Sequence, residues 1–203
     1  MQKQRLGIMG GTFDPIHNGH LMIAREIQKQ LHLDRVLFIP AYVSPFKQGL
    51  HCAPSEDRMA MTLLACQDNP LFTVSDLELK RGGVSYTYDT LRQLYRRWHR
   101  IYDLYFIIGA DSAEQLPGWH KIRQAMQLAT FAAAARPGFA PHKERVSARL
   151  HKAGLHKLVW VDTPELDVSS TEIRQRLQAG QGITDMVPKA VAEYIEQRDL
   201  YRR

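Results

Sequence analysis

Cysteine is scarce in this chain. Only Cys52 and Cys66 occur among 203 residues, too few and too far apart in sequence for a disulfide framework, and a reducing compartment suits them. There is no Cys-x-x-Cys pair, so a zinc ribbon is not expected. No apolar run approaches the ~20 residues that a membrane-spanning helix needs. Internal repeats, low-complexity segments and long linkers are missing too, which argues against a solenoid or a chain of separate units. The opening residues Met1-Gln2-Lys3-Gln4-Arg5 run almost at once into an apolar stretch, leaving little room for a secretory signal; a cytoplasmic protein is expected. Acidic residues are in modest deficit, 21 against 27 Lys and Arg, for a net charge of +6. The basic residues cluster only briefly, at Arg96-Arg97-His99-Arg100, between His142 and Lys152, and at the Arg202-Arg203 end. Such clusters read as solvated helix faces, so a small anionic ligand is expected and a nucleic acid partner is not.

What is present is a regular alternation of short apolar runs with helical patterns. Leu6 to Met9, Val36 to Ile39, Leu71 to Val74, Leu104 to Ile108, Phe131 to Ala135 and Leu158 to Val161 read as six buried strands. Between them, helical spacing recurs at Leu21, Ala24, Ile27 and Leu31, then from a Ser55 cap through Ala60, Leu63 and Leu64. It returns at Tyr88, Leu91, Leu94, Tyr95 and Trp98, at Ile122 to Leu128, and at Glu144 to Lys152. Strands joined by helices imply right-handed βαβ crossovers. The fold class is therefore α/β, a Rossmann-like doubly wound parallel sheet with helices on both faces. One domain is expected over residues 1–203, with a C-terminal helical part from about 169 to 203 packed onto it. In such folds ligands sit beyond the carboxyl ends of the strands, where the strand order reverses. The Gly10 to His20 and Gly109 to Ser112 segments would both emerge there.

The segment Gly10-Gly11-Thr12-Phe13-Asp14-Pro15-Ile16-His17-Asn18-Gly19-His20 joins the first strand to the first helix. Free N–H groups at a helix start, with the helix dipole behind them, attract phosphate. Gly10 and Gly11 allow close backbone approach, Thr12 offers a hydroxyl, and His17 and His20 at i, i+3 point to one side of the first turn. A zinc half-site would use the same pair, but no third clustered ligand accompanies it. A second segment, Ser169-Ser170-Thr171-Glu172-Ile173-Arg174, begins another helix. Its serines can cap, and Arg174 lies one turn in, so hydroxyls, N–H groups and a guanidinium could meet one phosphate. By itself this segment reads better as a plain capping box of Ser169 with Glu172.

Together these segments resemble the GxFDPxHxGH and ISSTxIR signatures of the nucleotidyltransferase superfamily, with Val168 in place of the usual isoleucine. The segments Gly83 to Leu91, Ile107 to Ser112 and Leu116 to Trp119 are similar to those of the bacterial nicotinate-nucleotide adenylyltransferase family, and the resemblance runs from Leu6 to about Tyr194. It implies adenylyl transfer from ATP to nicotinate mononucleotide, giving nicotinate adenine dinucleotide and pyrophosphate, with Mg2+ carried by ATP. It implies that His17, His20, Lys47 and Arg174 act in catalysis. ATP would be held by Gly10, Gly11, Thr12, Phe13, Gly109, Asp111, Ser169, Ser170 and Arg174, and the nicotinate nucleotide by Thr87, Trp119 and Arg136. Without the resemblance, Trp119 would read as a turn aromatic and Asp111 as a helix cap. One departure stands out: the family loop carries proline-proline-histidine before its basic residue, whereas this chain reads Ser44-Pro45-Phe46-Lys47. Adenylyltransferases for nicotinamide mononucleotide or phosphopantetheine, a cytidylyltransferase, and a non-catalytic nucleotide sensor or RNA-binding module are the alternatives. The sequence leaves the oligomeric state and the choice between acid and amide nucleotide open.

Overall fold

The structure, a computed structural model, describes residues 3–46, 52–135 and 140–202. Its frame is one six-stranded sheet in the order β3-β2-β1-β4-β5-β6, every pair parallel. The strands are β1 (Gln4–Gly11), β2 (Arg35–Pro40), β3 (Phe72–Val74), β4 (Tyr102–Gly109), β5 (Thr130–Ala135) and β6 (Leu158–Asp162). The order reverses between β1 and β4, so the chain winds outward in both directions from that pair.

Strand periodicity explains the two cores. Met9, Val36, Phe38, Ile107, Ala132 and Ala134 face one side and pack with Leu21, Ala24 and Ile27 of α1 (Asn18–Gln30), Met61 and Cys66 of α2 (Ser55–Cys66), and Val191 and Ile195 of α9 (Lys189–Gln197). Their strand neighbours Ile8, Leu37, Ile39, Phe106, Ile108, Phe131 and Ala133 face the other. There they meet Leu91 and Leu94 of α4 (Thr87–Trp98), Ala113 of α5 (Ala110–Gln115), Ile122 and Met126 of α6 (Ile122–Leu128), and Val146 and Leu150 of α7 (Ala140–Lys152). Successive strand side chains point to opposite faces, so a strand covered on both sides must be apolar throughout. A short helix α3 (Leu77–Arg81) precedes α4, and α8 (Ser170–Gln178) follows β6. No helix among the described residues is long and apolar enough to cross a membrane.

The helix after β2 corrects the sequence reading in two ways. Its cap is Pro54, with Ser55 already in the first turn. Its inner face is only partly the expected Ala60, Leu63 and Leu64: Leu64 packs against the core and Ala60 is half-buried, but Leu63 is exposed, and Asp57, Arg58, Met61, Thr62 and Cys66 are the buried residues. Charged residues in a first turn ordinarily face water, but here each has partners inside. Tyr194 Oη and Arg198 Nε both donate to Asp57 Oδ1, at 2.8 and 3.2 Å, tying α2 to α9. Arg58 donates to four backbone carbonyls, described below.

Candidate active site

A cavity of about 580 Å3 opens at the carboxyl ends of β1 and β4, within the size range of small-molecule sites. Gly10, Gly11, Thr12 and His20 form one wall; Ser85, Tyr86, Thr87, Trp119 and His120 form the other; Gly109 and Ser112 lie at the end of β4. Gly10 pairs with Ile39 on one side of β1, and the sheet places Gly109 one strand away on the other, beside Ala134 of β5. Strand geometry thus brings together segments nearly a hundred residues apart.

The β1–α1 loop is held by its carbonyls. Arg58, 2% exposed, donates through Nη1 to Thr12 O and Ala41 O, both at 2.7 Å. Its Nε reaches Ala53 O at 3.1 Å and its Nη2 reaches Tyr42 O at 3.3 Å. Arg174 Nη1 donates to Asp14 O at 2.7 Å, and Ser170 Oγ donates to Pro15 O at 2.9 Å. Carbonyl oxygens repel phosphate. Engaging those of Thr12, Asp14 and Pro15 within the protein turns the opposite, N–H edge of the trans Thr12–Phe13 and Pro15–Ile16 peptides away from these partners. Asp14, 2% exposed, completes the brace: Oδ1 accepts from Ala53 N–H at 3.0 Å and from Tyr201 Oη at 2.7 Å, and Oδ2 lies 3.8 Å from Arg174 Nη1. Burial and the neighbouring Asp14 carboxylate push the Tyr201 phenol well above its usual range, so it stays a donor.

The two histidines hold different positions at the start of α1. His17 is the cap residue, in extended backbone geometry. His20 lies in the first turn, where its Nδ1 accepts the His17 N–H at 3.2 Å. That acceptance places the proton of neutral His20 on Nε2. The two rings lie 3.7 Å apart, and Phe13 packs edge-on against His20 at 5.1 Å. Burial lowers His17 to about 4, so at neutral pH it is an uncharged imidazole. Any part it takes in catalysis, as the resemblance implies, would therefore come from a hydrogen-bond dipole and not from a formal charge. Its Nδ1 is buried and has no hydrogen-bond partner among the described residues.

The two signatures meet at Gly19. A Cβ there would sit 3.0 Å from His17 Nδ1 and 3.0 Å from Val168 Cγ1, so a hydrogen at this position lets the segment just before α8 press against the histidine turn. Ser169 caps α8, its Oγ accepting from Glu172 N–H at 3.1 Å. The capping expected of the serines falls to Ser169, while the Ser170 hydroxyl, expected at a phosphate, donates instead to the carbonyl of Pro15 in the other loop.

Several expected site residues stand away from the cavity lining. Phe13 is buried behind His20, His17 is buried and outside the lining, Asp111 is exposed in the first turn of α5, Ser169 caps α8, and Ser170 and Arg174 bond to the carbonyls of the β1–α1 loop. Lys47 and Arg136 lie outside the described residues. Conversely, the cavity is lined by Glu78, Ser85, Tyr86 and His120, none of which the sequence reading singled out. Phe46 lines it as well: 62% exposed, its ring lies 5.8 Å from that of Trp119. The position that departs from the family pattern thus adds an aromatic surface beside the tryptophan. The indole Nε1 of Trp119 is buried with no partner among the described residues. Glu78 is the only carboxylate in the described lining, and no group of three or more His, Cys, Asp or Glu is arranged to hold a metal among the described residues.

Residues 8–176 match the cytidylyltransferase-like family model. A relative from Roseiflexus sp. (strain RS-1), named "Probable nicotinate-nucleotide adenylyltransferase", is 46% identical over 202 residues, covering 100% of both chains. Proteins with the same name from Dehalococcoides mccartyi and Geobacillus thermodenitrificans are 43% and 42% identical, covering 100% and 97% of this chain and 100% and 86% of their own. Among solved structures, the nicotinic acid mononucleotide adenylyltransferase of Plasmodium falciparum complexed with NaAD superposes with a TM-score of 0.78 over 98% of this chain and 97% of its own, at 21% identity. The same enzyme complexed with APC gives 0.77 over the same shares and at the same identity. Chain-length similarity to these relatives, on the same doubly wound sheet, places this chain in the cytidylyltransferase-like nucleotidyltransferases and among their nicotinate-nucleotide adenylyltransferases.

Proposed function

We propose that this protein transfers the adenylyl group of ATP to the phosphate of nicotinate mononucleotide, releasing pyrophosphate and forming nicotinate adenine dinucleotide in NAD biosynthesis. The observation that carries the reading is one cavity with two unlike walls: a glycine turn with His20 on the phosphate side, and Thr87 with Trp119 on the ring side. The triphosphate lies along Gly10, Gly11 and Thr12, with His20 Nε2–H directed at the transferred group and neutral His17 beside it. Arg174 and Ser170 hold the outer phosphates or the loop that binds them, and Lys47 adds charge from the following loop. Gly109 and Asp111 lie on the adenosine side. The pyridine ring stacks on Trp119, extended by Phe46, with Thr87 and Arg136 on the nucleotide.

The attacking atom is a phosphate oxygen of the mononucleotide. Its second pKa is ~6, so it is a dianion at neutral pH and needs no general base. In-line attack on the α-phosphorus expels pyrophosphate, and the protein acts by positioning the groups and by stabilising charge on the transferred phosphoryl and the leaving group. Magnesium would arrive with ATP and help neutralise its phosphate charge; Glu78, the one carboxylate of the described lining, is already engaged within the protein. The enzyme works in the cytoplasm without a nucleic acid partner. Pyrophosphate release, measured with ATP and a panel of nicotinate mononucleotide, nicotinamide mononucleotide and phosphopantetheine, tests the reading. Fastest turnover is expected with the acid nucleotide; preference for another acceptor, or for CTP over ATP, would overturn it.

A further inference from the structure

Glu78 is buried at 5% exposure yet lines the cavity, and the adenylyl-transfer reading gives it no task. Thr90 Oγ1, in the second turn of α4, donates to Glu78 Oε1. Arg81 Nη2 in turn donates to that same hydroxyl at 3.0 Å, and the guanidinium lies 3.9 Å from the carboxylate. The Ser85 hydroxyl accepts Tyr42 N–H at 3.0 Å, and the same side chain stands close enough to the Glu78 carboxyl to favour its charged form against the upward push of burial. Ser85 N–H donates to Val43 O at 2.8 Å, and Val43 and Val84 form an isolated parallel bridge.

One carboxylate therefore ties three segments: α3, the 84–87 turn that enters α4, and the loop after β2. The connection matters because Gly82 and Gly83 both lie at positive φ, 69° and 68°, with no atom near the position of a Cβ. Glycine here loses more conformational freedom on folding than any other residue, and the turn offers no side chain of its own to pack, its Gly82 N–H donating to Glu78 O at 3.0 Å. The Glu78 hydrogen bonds supply the order that the turn itself does not.

We infer that Glu78 is a positioning residue for the nicotinate nucleotide: through Ser85 and Thr90 it holds Thr87 and the facing 42–46 loop at the spacing the nucleotide requires. The inference rests on the proposed activity, and it concerns one substrate side only. ATP lies on the opposite wall, which Glu78 does not touch.

The test is steady-state kinetics of Glu78→Gln, Thr90→Val and Thr90→Ser beside the wild type, with ATP and nicotinate mononucleotide varied in turn. Glu78→Gln keeps the shape but gives the serine and threonine hydroxyls an amide in place of two acceptor oxygens. Its KM for the mononucleotide is expected to rise about 10-fold while KM for ATP stays within about 2-fold, the size of one or two misplaced hydrogen bonds. Thr90→Val should behave likewise, and Thr90→Ser, which keeps the hydroxyl, should restore wild-type KM. Equal changes in both KM values, a fall in KM for the mononucleotide, or no rescue by serine overturns the inference. If Glu78→Gln does not fold, the Thr90 pair decides alone. Wild-type enzyme inactive with this pair of substrates would sink the activity; an active wild type with insensitive variants would sink only the role of Glu78.

Discussion

Replacing Arg58 with lysine keeps the buried charge but not the fork. In the native protein one guanidinium meets four carbonyls: Thr12 O and Ala41 O through Nη1, Ala53 O through Nε and Tyr42 O through Nη2. A lysine has one nitrogen at the end of a shorter arm, so at most the two carbonyls now sharing Nη1 remain in reach. The Ala53 and Tyr42 carbonyls lose their charged donor in a site where Arg58 is 2% exposed, leaving little room for water to replace it. Hydrogen bonds to charged groups contribute about 1.5–3 kcal/mol each. Allowing for relaxation, the loss should come to about 3 kcal/mol, a large part of the ~5–15 kcal/mol that stabilises a typical domain. With a urea slope of about 2 kcal/mol/M, the unfolding midpoint should fall by about 1.5 M with the slope unchanged. Turnover should fall too, because Gly10, Gly11 and Thr12 line the cavity where the proposed reaction places the triphosphate. A midpoint within about 0.3 M of wild type would refute the argument that this fork holds the loop.

Gly19→Ala separates stability from activity. Alanine favours a helix by about 1 kcal/mol over glycine, while a Cβ 3.0 Å from His17 Nδ1 and Val168 Cγ1 costs about 1–3 kcal/mol in displaced packing; stability should therefore fall by at most about 2 kcal/mol, leaving the variant folded, while turnover drops roughly 100-fold as the imidazoles shift. Unchanged kcat would mean that the junction tolerates the methyl. His20→Ala should lower kcat by roughly 10²–10³-fold, the loss associated with one transition-state donor, and near-normal turnover by a folded variant would remove it from the chemistry. The depressed His17 predicts acid sensitivity: its native value of about 4 lies below the ordinary 6.5, so its unfolded form takes up a proton first. Its contribution is fully present above pH 6.5 and declines as pH falls toward 4. At 1.36 kcal/mol per unit, the stability gap between wild type and His17→Gln should narrow by about 2 kcal/mol from pH 7.5 to 5, measured by urea titration at both pH values. A gap that stays constant would show that His17 is solvated.

The six strands and most helices were legible in the order of residues, because a strand buried on both faces must be apolar along its whole length and an amphipathic helix must repeat near 3.6. The placement of the glycine turn and of the His17–His20 pair was legible for a related reason: a tight turn and an i, i+3 pairing depend on neighbours within one helical turn. What tertiary structure decided was partnership at long range. Charged Asp57 and Arg58 look like a solvated first turn until the sheet brings the carbonyls of residues 12, 41, 42 and 53 around the guanidinium and α9 across the carboxylate. Tyr201, 187 positions from Asp14, and Glu78, at the foot of a five-residue helix, carry no local pattern at all. His17 looks like a titrating histidine in sequence, and only its burial makes it neutral. Periodicity and turn chemistry are properties of neighbours along the chain; desolvation, and the matching of a buried donor to its acceptors, arise only when distant segments close around a group.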